Sequence, residues 1–173
     1  MIRQIALLRG INVGGKNAVP MVLLRELFES LGHIEVVAVL QSGNIVFTST
    51  ELALPDGIEA AVFERFGVAT RVVVVDKFEL AQVIADNPFA GLEPTTVHVG
   101  FAVELPTPSA IALLDIADFA PEELVIGGRH FYLHLPGGMG RAKLPPSLER
   151  RLQVPITFRN WNSVTRLAGL ARG

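Results

Sequence analysis

The sequence predicts an α+β protein made of two βαββαβ-like halves with antiparallel sheets and a terminal helix. Three observations carry this. Half of the 173 residues are hydrophobic, short apolar runs alternate with stretches of helical spacing, and the order of these elements recurs once along the chain.

Ile2 to Leu8 is an apolar run that ends at Arg9-Gly10, the pattern of a buried strand stopped by a glycine-rich loop. After Pro20, the positions Met21, Leu24, Leu27, Phe28 and Leu31 recur at helical spacing, and Gly32 is a stop. Glu35 to Leu40 and Ile45 to Thr48 are β-rich runs joined by Gln41-Ser42-Gly43-Asn44, whose small residues suit a tight turn. Pro55 to Phe66 is helical by spacing, with Ile58, Val62 and Phe66 on one side, and Arg71 to Val75 is a last strand. The expected division is therefore into 1–76 and 77–173.

Asp76, followed three residues later by Glu79, is the pattern of a cap for a helix from about Phe78 to Ala85. A strand at Val97 to Val103 and a helix from Pro108 to about Ile116 follow. Leu124 to Ile126 and His130 to Leu135 form a second hairpin around Gly127-Gly128-Arg129. A helix from Pro146 to about Leu152, a strand near Ile156 and a terminal helix with the stripe Val164, Leu167, Ala168 and Ala171 complete the chain. This order usually builds the ferredoxin-like arrangement, a four-stranded antiparallel sheet with two helices on one face, so two tandem ferredoxin-like subdomains are expected.

The absence of cysteine removes disulfides, thiolate zinc sites and a thiol nucleophile. With no apolar run near the roughly 20 residues of a membrane span, a soluble cytoplasmic protein is expected. The net charge of −2 is unevenly spread: residues 51–124 carry 13 Asp or Glu against 3 Lys or Arg, and residues 129–173 carry 8 Lys or Arg against Glu149 alone. A basic tail of this kind either offers a phosphate or nucleic-acid surface or neutralises the acidic middle of the same molecule.

In a ferredoxin-like half, the loop after the first strand and the turn between the second and third strands fall at one end of the sheet. That brings Arg9, Asn12, Gly14, Gly15, Lys16 and Asn17 toward Gln41, Ser42 and Asn44, a set of donors with no carboxylate. Gly10 to Asn17 nearly matches the phosphate-cradling pattern G-x4-G-K-[ST], but Asn17 stands where a hydroxyl would bind Mg²⁺, and Val19-Pro20 delays the helix. Such a loop can hold an anion through backbone N–H groups and Lys16, or its glycines can simply permit a turn while Asn12 and Asn17 satisfy backbone groups. A second cluster pairs Gly137 to Lys143 with Arg159, Asn160, Trp161, Asn162 and Ser163. There Asn160 or Asn162 suits a helix cap, Trp161 a core anchor, and Arg159 either a ligand contact or a staple.

The four histidines form no catalytic or metal set: His130 and His134 flank Tyr132 on one face of a strand, and residues two apart on a strand already stand about 7 Å apart. No serine-hydrolase, zincin or dinucleotide fingerprint occurs, which leaves the cofactor unknown, and the third strand lacks the alternating aromatics of an RNA-binding sheet.

Ala6-Leu7-Leu8-Arg9-Gly10-Ile11-Asn12-Val13-Gly14-Gly15-Lys16-Asn17, Gln41-Ser42-Gly43-Asn44 and Arg159-Asn160-Trp161-Asn162 closely resemble, in order and spacing, the signatures of the domain of unknown function 1697 family. Met21 and Asn87-Pro88-Phe89 are similar to it as well. The resemblance implies two ferredoxin-like subdomains and supplies no activity, substrate or catalytic residue. The chain departs from the family pattern at Ala38-Val39, where Thr-Tyr is usual, and at Ser163, where Thr is common.

These features favour a binding module for a small anionic or nucleotide-like ligand. The alternatives are a nucleic-acid contact surface on the basic tail, a structural or partner-binding protein, and an enzyme in which Lys16 or Arg9 stabilises charge and Ser42 reacts. The last lacks a visible general base.

Overall fold

The computed structural model describes residues 1–172 and shows an α+β chain with two four-stranded antiparallel sheets and, among the described residues, six α-helices. It divides into two compact units, Met1–Ala81 together with the chain's end from Leu167, and Gln82–Arg166.

The first unit contains β1 (Ile2–Leu8), α1 (Met21–Ser30), β2 (Ile34–Val39), β3 (Asn44–Ser49), α2 (Pro55–Phe66) and β4 (Val72–Asp76), with strands ordered β2-β3-β1-β4. β1 lies inside the sheet, and Ile5, Ala6, Leu7 and Leu8 are all buried, so both faces of the strand are covered. Leu24, Leu27 and Phe28 of α1 and Ile58 and Val62 of α2 share one core with Ala6, Leu8, Ile45, Phe47 and Val72. Pro55 opens α2, and Gly67 at φ 67° closes it by donating its N–H to Phe63 O at 2.8 Å.

The edge strand β2 is less regular than its sequence suggests. It is bulged between Ile34 and Val37, with Glu35 at φ 51° and Leu40 at φ 61° just past its end. Arg3 Nη1 secures the bulge by donating to Glu35 O at 2.9 Å and Thr48 Oγ1 at 3.1 Å.

Asp76 caps α3 (Lys77–Asp86), its Oδ1 accepting from Phe78 N and Glu79 N at 2.8 Å each. Beyond it come β5 (Val97–Ala102), α4 (Pro108–Ala112), β6 (Glu123–Gly127), β7 (His130–His134), α5 (Leu144–Leu152), β8 (Ile156–Asn160) and α6 (Trp161–Ala171). The second sheet, β6-β7-β5-β8, repeats the strand order of the first. Phe131, Leu133 and Leu135 pack with Leu144, Leu148 and Leu152 of α5 in this unit's core.

α4 is shorter than the expected helix to Ile116. Asp115 Oδ1 accepts from Ala117 N at 3.0 Å and diverts the chain into a single 3-10 turn, Ala117–Phe119, while Arg151 Nη1 donates to Asp115 O at 2.7 Å. No helix among the described residues is long and apolar enough to cross a membrane.

Candidate functional site

Antiparallel pairing sets the site. Leu7 at the end of β1 faces Asn44 at the start of β3, and Leu8 faces Val72 at the start of β4. Three connecting segments therefore meet at this end of the first sheet. Leu8 N donates to Gly43 O and Arg9 N to Arg71 O, both at 2.8 Å, and Thr70 Oγ1 donates to Arg9 O at 2.7 Å. The sequence predicts that the 9–17 loop meets the 41–44 turn; it does not predict the third segment, 69–71. Its signal was β4 itself, since a strand antiparallel to β1 begins where β1 ends.

The loop is a miniature hairpin. Asn12 N donates to Asn17 O and Lys16 N to Val13 O, both at 3.0 Å, around Gly14 and Gly15 at φ 58° and 73°. The Asn12 side chain joins the segments: Nδ2 donates to Val19 O and Gln41 O at 2.9 Å each, and Oδ1 accepts from Val19 N at 2.8 Å. Asn17 Nδ2 donates to Gly10 O at 2.9 Å. Both asparagines hold positive φ, 54° and 52°, a region that Asn tolerates better than other side chains. Buried Asn44 donates to Val39 O at 3.1 Å and Ser42 Oγ at 2.9 Å, while Gln41 and Ser42 are exposed. Gly43, at φ 75°, has no room for a side chain: a Cβ there would lie 2.7 Å from Ile11 Cδ1.

At the base of this hairpin is a pocket of about 200 Å³ lined by Arg9, Gly10, Asn17, Ala69, Thr70 and Arg71. Two arginines and no acidic residue belong to its lining. One edge of Arg71 is occupied, its Nε lying 3.2 Å from Glu59 Oε1, which also accepts from Val72 N at 2.8 Å. Gly14, Gly15 and Lys16 stand on the exposed hairpin tip, outside the lining. α1 begins only at Met21, so its first N–H groups do not front Gly14 to Lys16 as a nucleotide-hydrolase loop would require. A larger hollow of about 450 Å³ lies against Met21, Val22, Arg25, Val36, Val37 and Ala38. It is mostly apolar, and the smaller pocket holds the concentrated charge.

The second predicted cluster lies elsewhere. Lys143 N donates to Glu122 Oε1 at 2.9 Å and Leu144 N to Glu122 Oε2 at 2.8 Å, so the start of α5 holds the chain's own carboxylate. Asn160 Oδ1 accepts from Ser163 N at 2.8 Å and caps α6, Trp161 is buried, and Asn162 is exposed. Arg159 is also buried, with Nη1 donating to Thr157 Oγ1 at 2.8 Å and Phe158 O at 2.9 Å. Burial pushes its pKa down to about 10, so it remains cationic at neutral pH. Within the basic tail Arg159 is inside and Arg151 lies over the Phe119 ring at 5.2 Å, while Arg141, Lys143, Arg150 and Arg166 are exposed. No group of three or more potential metal ligands occurs among the described residues.

The family model described as "Protein of unknown function (DUF1697)" matches residues 1–132. A solved structure, the conserved bacterial protein SP0830 from Streptococcus pneumoniae, is 22% identical, covers 98% of each chain and superposes with a TM-score of 0.72. At that identity it shows a shared fold alone. A search of curated proteins gives no match.

Proposed function

The chain belongs to the DUF1697 family of proteins of unknown function, and we propose that it is a binding module for a small anionic ligand held between Arg9 and Arg71 at the end of the first sheet. One observation supports this most: two arginines line the same pocket and no acidic residue does. Guanidinium groups bind phosphate and carboxylate through paired, charge-assisted hydrogen bonds. The pocket's 200 Å³ is below the roughly 300–1,000 Å³ of drug-sized sites, so it suits the anionic group of a ligand. The remainder of a nucleotide-like molecule would extend over the exposed tip, where Lys16 adds charge. In this reading the two sheets are tandem ferredoxin-like subdomains, and a cysteine-free chain of this kind works in the cytoplasm.

The experiment is thermal stabilisation by inorganic phosphate, pyrophosphate, nucleotides and phosphorylated metabolites, applied to the wild type, Arg71→Gln and Lys16→Ala. A rise in Tm with at least one anion is expected, lost in Arg71→Gln and weakened in Lys16→Ala. No rise with any anion, or an equal rise in Arg71→Gln, would overturn the proposal.

A further inference from the structure

We propose that the second unit carries a separate site for a small zwitterion of the amino-acid kind, with Arg151 facing its carboxylate and Glu104 its ammonium group. The site lies between the loop after β5 and the segment leading into β8.

Its place follows from the repeated strand order. In each sheet the first strand lies beside the last, β1 by β4 and β5 by β8. The loop leaving one therefore meets the segment leading into the other. The backbone tie is equivalent in both units: Arg9 N donates to Arg71 O at 2.8 Å, and Val103 N to Pro155 O at 3.0 Å. In the first unit this junction frames the arginine-lined pocket. In the second it frames a pocket of about 280 Å³, with Glu104 and Thr107 on one wall and Arg151 and Gln153 on the other. Buried Leu152 and Val154 give it an apolar floor.

The chemistry differs from that of the first pocket. Arg151 donates Nη1 to Asp115 O at 2.7 Å and carries its Cζ 5.2 Å from the centre of the Phe119 ring. Glu104 is exposed and makes no hydrogen bond or ion pair among the described residues. An acidic and a basic residue thus belong to one pocket lining, and no ion pair joins them among the described residues. A simple anion meets the Glu104 carboxylate, and a simple cation meets Arg151. A ligand carrying both charges a few bonds apart satisfies both walls, while an apolar side chain can rest on the floor.

The test uses the full chain, labelled for backbone amide mapping and titrated with glycine, L-alanine, L-leucine and L-glutamine. N-acetyl-L-alanine, which lacks the ammonium group, L-alaninamide, which lacks the carboxylate, and inorganic phosphate are the single-charge controls. At least one free amino acid should shift the amides of Leu105, Gln153 and Val154 saturably, with a Kd of about 1 mM or tighter, and the controls should bind at least about tenfold more weakly. Glu104→Gln removes no internal contact, so it should remain folded and lose about tenfold in affinity, while Arg71→Gln should bind as the wild type does. The proposal is overturned if no amino acid saturates these shifts, if the controls bind equally well, or if Glu104→Gln changes nothing.

Discussion

Gly10 to Asn17 and Gly137 to Lys143 are both glycine-rich, both cationic and both follow a strand, yet they stand differently toward an anion. In the second, Glu122 reaches the start of α5 from more than twenty residues away and takes two backbone N–H groups. In the first, the asparagines close the hairpin on itself, and arginines from two segments line a pocket with no acidic residue. Glycine and cation spacing marks where negative charge is welcome; contacts distant in sequence decide how much of it the chain supplies itself, Glu122 taking two backbone N–H groups after the second loop and Glu59 one edge of Arg71 beside the first.

The largest break in this comparison should come from Asn12→Ala. Loss of three hydrogen bonds that join the loop to Val19 and Gln41, at a left-handed backbone position, should cost about 3 kcal/mol, read as a lower urea midpoint. Gly43→Ala should cost about 2 kcal/mol, because a Cβ collides with Ile11 at a position that also holds φ 75°. Glu122→Gln should cost about 1 kcal/mol by weakening the α5 cap, and the variant, unlike the wild type, should gain stability from inorganic phosphate at that helix start. If Glu122→Gln shows no new phosphate dependence, the two loops differ in more than the internal carboxylate.

The smallest effect is a pH dependence common to both units. Burial lowers the pKa of His33, whose ring lies tilted against Phe47 with centroids 4.5 Å apart, and of His98, where a Thr96 backbone contact partly opposes the shift. Their folded-state values lie below the ordinary 6.5, so the unfolded chain takes up protons first as pH falls. Stability from these groups is therefore full above pH 6.5 and declines below it, by at most about 1.4 kcal/mol per pH unit for each group. Denaturation midpoints across this range, repeated for His33→Phe, should show a shallower slope in the variant.

Much of the fold was legible because local signals agreed with it: Pro55, the Ile58–Val62 spacing and Gly67 delimit α2, and Ile2 to Leu8 is bounded as a strand by Arg9-Gly10. α4 stops at Ala112, short of the expected Ile116, and the Asp115 turn that follows it is joined by Arg151 across 36 residues, a contact that no short window of sequence contains. Among the residues of the pocket, Arg9 and Asn17 stand out in the loop, whereas Arg71 reads only as the first residue of a strand and Thr70 carries no signal. Their place beside Arg9 depends on β1–β4 pairing, which no short window of sequence contains. The Asn12 amide was equally readable as a ligand contact, since its partner Gln41 O lies 29 residues away.

The most direct measurement is a titration of the isotopically labelled protein with pyrophosphate, following the amides of Gly10, Asn17 and Thr70 in the wild type and in Arg71→Gln. Saturable shifts at these three positions that vanish in the variant are the expected result. Shifts confined to Lys143 and Leu144, or shifts that persist unchanged in Arg71→Gln, would contradict an anion site at the end of the first sheet.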